Sequence, residues 1–214
     1  METSGKMSHS TLPLTALVLA GGQSSRMGQD KALIPIQGTP LLQQVCQVAL
    51  QCTSEVYVVT PWINRYQALL PKSCKFIQEP PWSGAKPQGP LVGFAQGLAQ
   101  VQTEWVLLLA CDLPRLRVEV LQEWVQELAT VPEEAIAVLA RQTNRWEPLC
   151  GFYRQSCLAS LTCFIEQGGR SFQAWLAQHP VQELPPTDAQ MFFNCNTPKD
   201  VDSLKKFNLP ETSN

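Results

Sequence analysis

Leu14-Thr15-Ala16-Leu17-Val18-Leu19-Ala20-Gly21-Gly22-Gln23-Ser24-Ser25-Arg26-Met27-Gly28-Gln29-Asp30-Lys31 is the stretch from which the fold is read. Its opening run is almost wholly apolar, which suits a strand buried on both faces of a parallel sheet. The run passes directly into a glycine-rich loop. In open α/β sheets, ligands bind at the carboxyl ends of parallel strands, where such a loop emerges. Gly21 and Gly22 let the backbone approach a phosphate and take conformations barred to residues with a Cβ. Arg26 supplies a guanidinium fork and Lys31 a mobile point charge, both suited to phosphate oxygens. Neither of two familiar nucleotide signatures is present. Gly22 to Gly28 does not give the Walker spacing, and Gln29 follows Gly28 where the lysine is required; no Gly-x-Gly-x-x-Gly follows the strand either.

Outward from this segment, apolar runs alternate with helix-period segments, the pattern of an α/β sheet. Strands are expected at residues 14–20, 55–60, 75–78 and 105–110, the last with the strongest burial signal, then at 135–140 and 146–153. Pro148, inside the last of these, favours a sheet edge or a bulge. Helical spacing covers 39–51, 65–70, 91–100, 117–129 and 158–167. Thr39-Pro40 suits the N-cap and N1 positions of the first helix, and Gly168-Gly169 ends the last. Residues 80–90 hold four of the 17 prolines, so they read as a loop. The expected organisation is a flexible leader at 1–13, one domain at 14–207 and a tail at 208–214.

Composition narrows the chemistry. A chain of 214 residues buries about 70–75% of its unfolded surface and needs no covalent staples. The formal charge is −2 with no basic tract, which argues against a nucleic-acid partner. No apolar run reaches the roughly 20 residues of a membrane helix, and residues 1–10 lack the apolar centre of a signal peptide, so a cytoplasmic protein without a membrane partner is expected. The eight cysteines include no Cys-x-x-Cys pair and are expected as reduced core residues. With only His9 and His179, a Ser-His-Asp hydrolase or a multi-histidine metal site has little to be built from.

Three further segments carry chemistry. Leu107-Leu108-Leu109-Ala110-Cys111-Asp112-Leu113-Pro114 places a carboxylate just past the most buried strand, where it can hold Mg²⁺ against triphosphate oxygens or cap the following helix. Gln88-Gly89-Pro90-Leu91-Val92-Gly93 puts glycines around a proline at a helix start, with amides that can face a sugar or phosphate. Asn194-Cys195-Asn196-Thr197-Pro198 presents two amides that share one face if extended. The alternative is a pair of turn residues, with Asn196 or Thr197 capping a last helix whose first turn carries Asp200 and Asp202.

These segments, in this order, resemble the MobA-type molybdenum cofactor guanylyltransferases over residues 14–207 or so. The loop matches every fixed position of the family's Leu-Ala-Gly-Gly-x-Ser-x-Arg-Met-Gly-x-Asp-Lys. Glu147-Pro148-Leu149 is similar to a family strand that lines the acceptor side. The resemblance implies a Rossmann-like three-layer α/β sandwich with a mostly parallel sheet, of the nucleotide-diphospho-sugar-transferase type. It also implies that Leu19, Ala20, Gly21 and Gly22 bind the guanine nucleotide, Lys31 its phosphates, and Asp112 the cofactor Mg²⁺. Asn194 and Asn196 would meet the pterin acceptor. The family has an aspartate shortly before its Gly-Pro-Leu, for which Glu79 is the nearest candidate here, with 80–88 as an insertion; Asn64 is the candidate for its asparagine after the second strand.

The implied reaction joins GTP to molybdenum-bearing molybdopterin and releases pyrophosphate, with Lys31, Asp112 and Arg26 as the catalytic set. A phosphate monoester has a second pKa near ~6, so the attacking phosphate needs no histidine base. Molybdoenzymes or their chaperones are the expected recipients of the product. The rival activities are cytidylyl transfer to the same pterin, nucleotidyl transfer to a sugar phosphate, and a non-catalytic nucleotide-binding scaffold. Gly21-Gly22 favours the guanylyl type, since the cytidylyl relatives resemble this loop with Ala-Ala-Gly instead.

Overall fold

The run at 14–20 forms β1 (Leu14–Leu19), inside a seven-stranded sheet, in the computed structural model, which describes residues 12–22, 29–79 and 89–207. β1 pairs in parallel with β4 (Glu55–Thr60) on one side and β6 (Trp105–Ala110) on the other. β5 (Cys74–Gln78) extends the parallel half beyond β4. Across β6 comes β8 (Arg145–Arg154), antiparallel both to β6 and to β7 (Ala137–Gln142). β9 (Val181–Glu183) lies parallel to β7, giving the order β5-β4-β1-β6-β8-β7-β9.

Burial on both faces explains the unbroken apolar runs. Trp105, Leu107 and Leu109 of β6 enter one core, and Val106 and Leu108 the other. The first core is closed by α1 (Leu41–Cys52), whose buried Leu42, Val45, Cys46 and Ala49 recur at helical spacing, and by α4 (Val118–Glu127) through Leu121 and Trp124. The second is closed by α3 (Pro90–Leu98), α5 (Leu158–Glu166) and α6 (Phe172–Leu176). The result is the three-layer sandwich that the resemblance implies. A smaller third cluster joins Ile34, Ile36 and Leu41 to Cys195 and to Val201 and Leu204 of α7 (Pro198–Phe207).

Several local expectations are corrected. Thr39-Pro40 does not supply the N-cap and N1 of α1: it forms β3 (Thr39–Pro40), paired with β2 (Pro35–Ile36), and Pro40 is the N-cap. The helix expected at 65–70 is the single turn α2 (Ile63–Tyr66). The strand expected at 135–140 is displaced to β7. Pro148 lies in an interior strand, where the register with β7 shifts between Leu139 and Arg141, so the irregularity is present and the edge position is not. Both α6 and β9 are additional; α6 is only 5 residues long and β9 only 3, too short to show a period. The expected leader and tail fall largely outside the described residues.

Just before this irregularity, Leu139 of β7 stands in register with Gly151 of β8. A Cβ at Gly151 would stand 2.5 Å from Leu139 Cδ2 and 2.9 Å from the Val138 carbonyl oxygen. Backbone cannot yield as a side-chain tip does. Gly151→Ala is therefore expected to lower unfolding free energy by about 1–3 kcal/mol in urea denaturation. An unchanged midpoint would show that β7 relaxes freely.

Candidate active site

A row of backbone hydrogen bonds continues past the strand ends and lays out the carboxyl rim. The Glu79 N–H donates to the Thr60 carbonyl at 3.0 Å, Ala20 N–H to Val59 at 2.9 Å, and Cys111 N–H to Leu19 at 3.1 Å. Cys195 N–H then donates to the Asp112 carbonyl at 3.0 Å, which adds the 194–196 segment to the row. Glu79, Gly21, Asp112 and Asn194 thus follow one another along one edge.

Lys31 is placed by the residue before it. Asp30 caps the short 3₁₀ turn Lys31–Leu33, accepting from the Ala32 N–H at 3.1 Å. Its other oxygen accepts from the buried Tyr66 hydroxyl at 2.7 Å and from Arg65 at 3.4 Å. So anchored, Lys31 extends its ammonium to 3.6 Å from Asp112 Oδ2 and donates to Asn196 Oδ1 at 2.5 Å. Both ion-pair side chains keep under a fifth of their surface exposed, 19% and 18%. Burial pushes the Asp112 carboxyl above its usual range, and Lys31 opposes the rise.

Glu79 lies between two glycines. A Cβ at Gly21 would collide with its carboxylate, and one at Gly93 of α3 would come within 2.6 Å of Glu79 Oε1. Gly21 is therefore required for close approach and not for its backbone angle, since neither Gly21 nor Gly22 has a positive φ. At Gly22 a Cβ would meet nothing within 4 Å among the described residues, so among them the two glycines, equal in the sequence reading, differ in their constraint. Gly89 has φ +82°, which turns the chain into Pro90 and α3. Ala20 is buried, with its N–H and carbonyl held by Val59 and Thr60, and Leu19 packs partly into the second core. Asn64 is exposed on α2. Arg26, with the rest of 23–28, and the 80–88 segment lie outside the described residues.

Cys195 points into the third cluster, and Asn194 and Asn196 flank it. Asn194 bonds back to the Phe192 carbonyl at 3.2 Å. Asn196 is held from behind by Asp200, whose Oδ2 accepts from the N–H groups of Asn196 at 2.8 Å and Thr197 at 2.7 Å. The Thr197 hydroxyl accepts in return from the Asp200 N–H at 3.3 Å, completing a reciprocal helix cap. Asp200 thus does more than place charge in a first turn. The Thr-x-x-Asp spacing was the available signal, whereas no sequence pattern announces Tyr66. Asn194 also lines a cavity of ≈ 500 Å³, together with Leu113, Phe192, Trp146 and Glu147. Among the described residues, no group of three or more His, Cys, Asp or Glu could hold a metal ion, and no helix is long and apolar enough to cross a membrane. All eight cysteines are free thiols.

Sheet order and rim define an α/β protein of nucleotidyltransferase fold. The MobA-like NTP transferase domain matches residues 16–184, and the chain belongs to that family. It is 63% identical over 188 residues to a probable molybdenum cofactor guanylyltransferase of a Nostoc species, covering 88% of each chain. To the corresponding protein of Synechococcus elongatus it is 46% identical over 190 residues, covering 89% of this chain and 97% of the relative. In fold it is similar to the molybdopterin-guanine dinucleotide biosynthesis protein A of Archaeoglobus fulgidus, with TM-score 0.69 and 23% identity over 90% of this chain and 97% of that one.

Two carboxylates give stability predictions of opposite sign. Burial opposes ionisation of Asp200, but the hydrogen bonds it accepts from Asn196 and Thr197 outweigh that and hold its pKa low. Its stabilisation is present above the unfolded value of about 3.9 and is lost as pH falls through the lower folded value. Asp200→Ala should cost about 1 kcal/mol at pH 7, with the gap closing in acid. Burial raises Glu79 instead, so its ionisation destabilises the ligand-free protein as pH rises above about 4.3. Glu79→Gln should melt above wild type at pH 7 and close to it at pH 4. Melting curves at both pH values check the pair, and a lower melting temperature for Glu79→Gln at pH 7 would contradict the second.

Proposed function

We propose that this protein is a guanylyltransferase that moves GMP from GTP onto the terminal phosphate of molybdenum-bearing molybdopterin, releasing pyrophosphate. The observation that carries this reading is the meeting of Lys31 and Asp112, at 3.6 Å, on the rim that also holds Gly21 and Glu79. The names of the relatives at 63% and 46% identity support the choice of GTP and pterin. An acceptor phosphate oxygen attacks the α-phosphorus in line. The new P–O bond forms as the bond to the α–β bridging oxygen breaks, and the electron pair leaves on pyrophosphate. The attacking phosphate, with its second pKa near ~6, is already ionised at neutral pH, so positioning and charge stabilisation suffice.

Each residue then has a task. Gly21, with Leu19, Ala20 and Gly22, forms the surface against which the nucleotide lies, and Glu79 accepts hydrogen bonds from it. Lys31 exchanges Asn196 and Asp112 for phosphate oxygens, a short move for a flexible stem. Arg26 adds charge from the loop. Asn194 and Asn196 hold the acceptor. Asp112 would hold Mg²⁺, and one buried carboxylate fits an ion that takes one or two from protein and fills its shell with phosphate and water. When bound, that ion supplies positive charge against the triphosphate. The free thiols agree with a cytoplasmic setting, and molybdoenzymes or their chaperones would receive the product.

Incubation with GTP, Mg²⁺ and molybdenum-loaded molybdopterin should give a guanine dinucleotide, identified by mass, and one pyrophosphate per turnover. A preference for CTP, or no pyrophosphate, overturns the assignment. Asp112→Ala should lower turnover by at least about 100-fold while leaving the circular dichroism unchanged. Near-normal turnover would remove Asp112 from the mechanism.

A further inference from the structure

β8 is longer than its neighbour. Its pairing with β6 runs from Arg154 to Cys150, opposite Leu109, and Arg145 to Leu149 continue past that point, beside the loop carrying Asp112. This overhang walls the cavity next to Asn194. It is held in a defined way. The Gln173 side chain, from α6, donates to the Trp146 carbonyl at 2.8 Å and accepts from the Trp146 N–H at 3.2 Å. One amide thus takes the place of the strand neighbour that β6 no longer provides. The buried Tyr153 hydroxyl donates to the Pro148 carbonyl at 2.7 Å. On β7, Arg141 stands in register with Trp146, and its guanidinium lies over the indole, 5.1 Å from the centroid.

Trp146 thus lines the cavity with its backbone held by Gln173 and its ring held by Arg141 and by partial packing against the second core. The cavity, ≈ 500 Å³, is of the size that holds small molecules. Its position selects the occupant. Along the rim, Glu79 and Gly21 lie on one side of Asp112 and the cavity on the other, so a nucleotide whose phosphates reach Asp112 directs its base away from Trp146.

We propose that Trp146 is the surface on which the acceptor's fused heterocycle stacks, and that Gln173 is the positioning residue that holds it there. The proposal rests on the guanylyl-transfer reading above and adds the acceptor's ring contact to it. Stacking of a heterocycle on an aromatic side chain corresponds to about 10- to 100-fold in affinity.

The test is steady-state kinetics of the full chain, varying GTP and molybdenum-loaded molybdopterin separately. Trp146→Ala should raise the acceptor KM about 10- to 100-fold, with the GTP KM and kcat within about 3-fold of wild type. Trp146→Phe should recover most of the loss and Trp146→Leu little of it, a contrast that holds even where the alanine variant folds poorly. Gln173→Leu should raise the acceptor KM about 10-fold, and Gln173→Glu, which keeps the acceptor for the Trp146 N–H, should fall between it and wild type. An unchanged acceptor KM, an equal rise in both KM values, or identical behaviour of the Phe and Leu variants overturns the proposal. A wild-type protein that transfers no guanylyl group overturns the underlying reading, and this proposal with it; active wild type with an unaffected Trp146→Leu variant removes this proposal alone.

Discussion

The parallel pairing of β1 with β6 is the constraint on which the site depends. Both strands are buried on both faces, and their register, Leu19 opposite Ala110, makes them end together. A slip of one residue would send each side chain to the opposite core, so the register is strongly specified. The bond from Cys111 N–H to the Leu19 carbonyl extends the ladder one step beyond the strands. Gly21 and Asp112, remote in sequence, are neighbours because two apolar runs terminate in step.

A second constraint acts through the small third core. Ile34, Ile36 and Leu41 hold the segment after the glycine loop, while Cys195, Val201 and Leu204 hold the start of α7. Their mutual burial carries Lys31 to Asn196. Charge alone would not do so, because a partly exposed ion pair contributes little by itself. Packing sets the approach, and the ammonium then finds Asp112 and Asn196 within reach. This core links Lys31 to the segment that carries Asn194 and Asn196.

How much of this was legible in the sequence follows from what each feature needs. The bounds of β4 and β6 are readable to the residue, because an apolar run that ends abruptly marks a buried strand. Asp112 stands out as a carboxylate just past such a run, Lys31 as a cation of the glycine loop, and Asn194 and Asn196 as two amides two residues apart; the structure brings all four to one rim. Thr39-Pro40 misleads because local capping preference loses to a two-residue pairing with Pro35 and Ile36. Gln173 and Tyr66 were invisible as site residues: each acts through one hydrogen-bonding group across a tertiary contact, and no periodicity records that. The difference between Gly21 and Gly22 likewise appears only where Glu79, just past β5, comes against the first.

The rim also departs from what stability alone would select. Asp200 sits where backbone amides favour its charge, whereas burial works against the charges of Glu79 and Asp112. A structural carboxylate is expected to be satisfied by the chain itself. A binding carboxylate can instead be left partly desolvated, because a ligand offering hydrogen-bond donors or a cation then gains more from it than from a solvated group. Lys31 tempers that cost at Asp112 without removing it, for burial still prevails. Glu79 and Asp112 lie on either side of Gly21 along the rim, the arrangement expected if a nucleotide and its cation complete the electrostatics there.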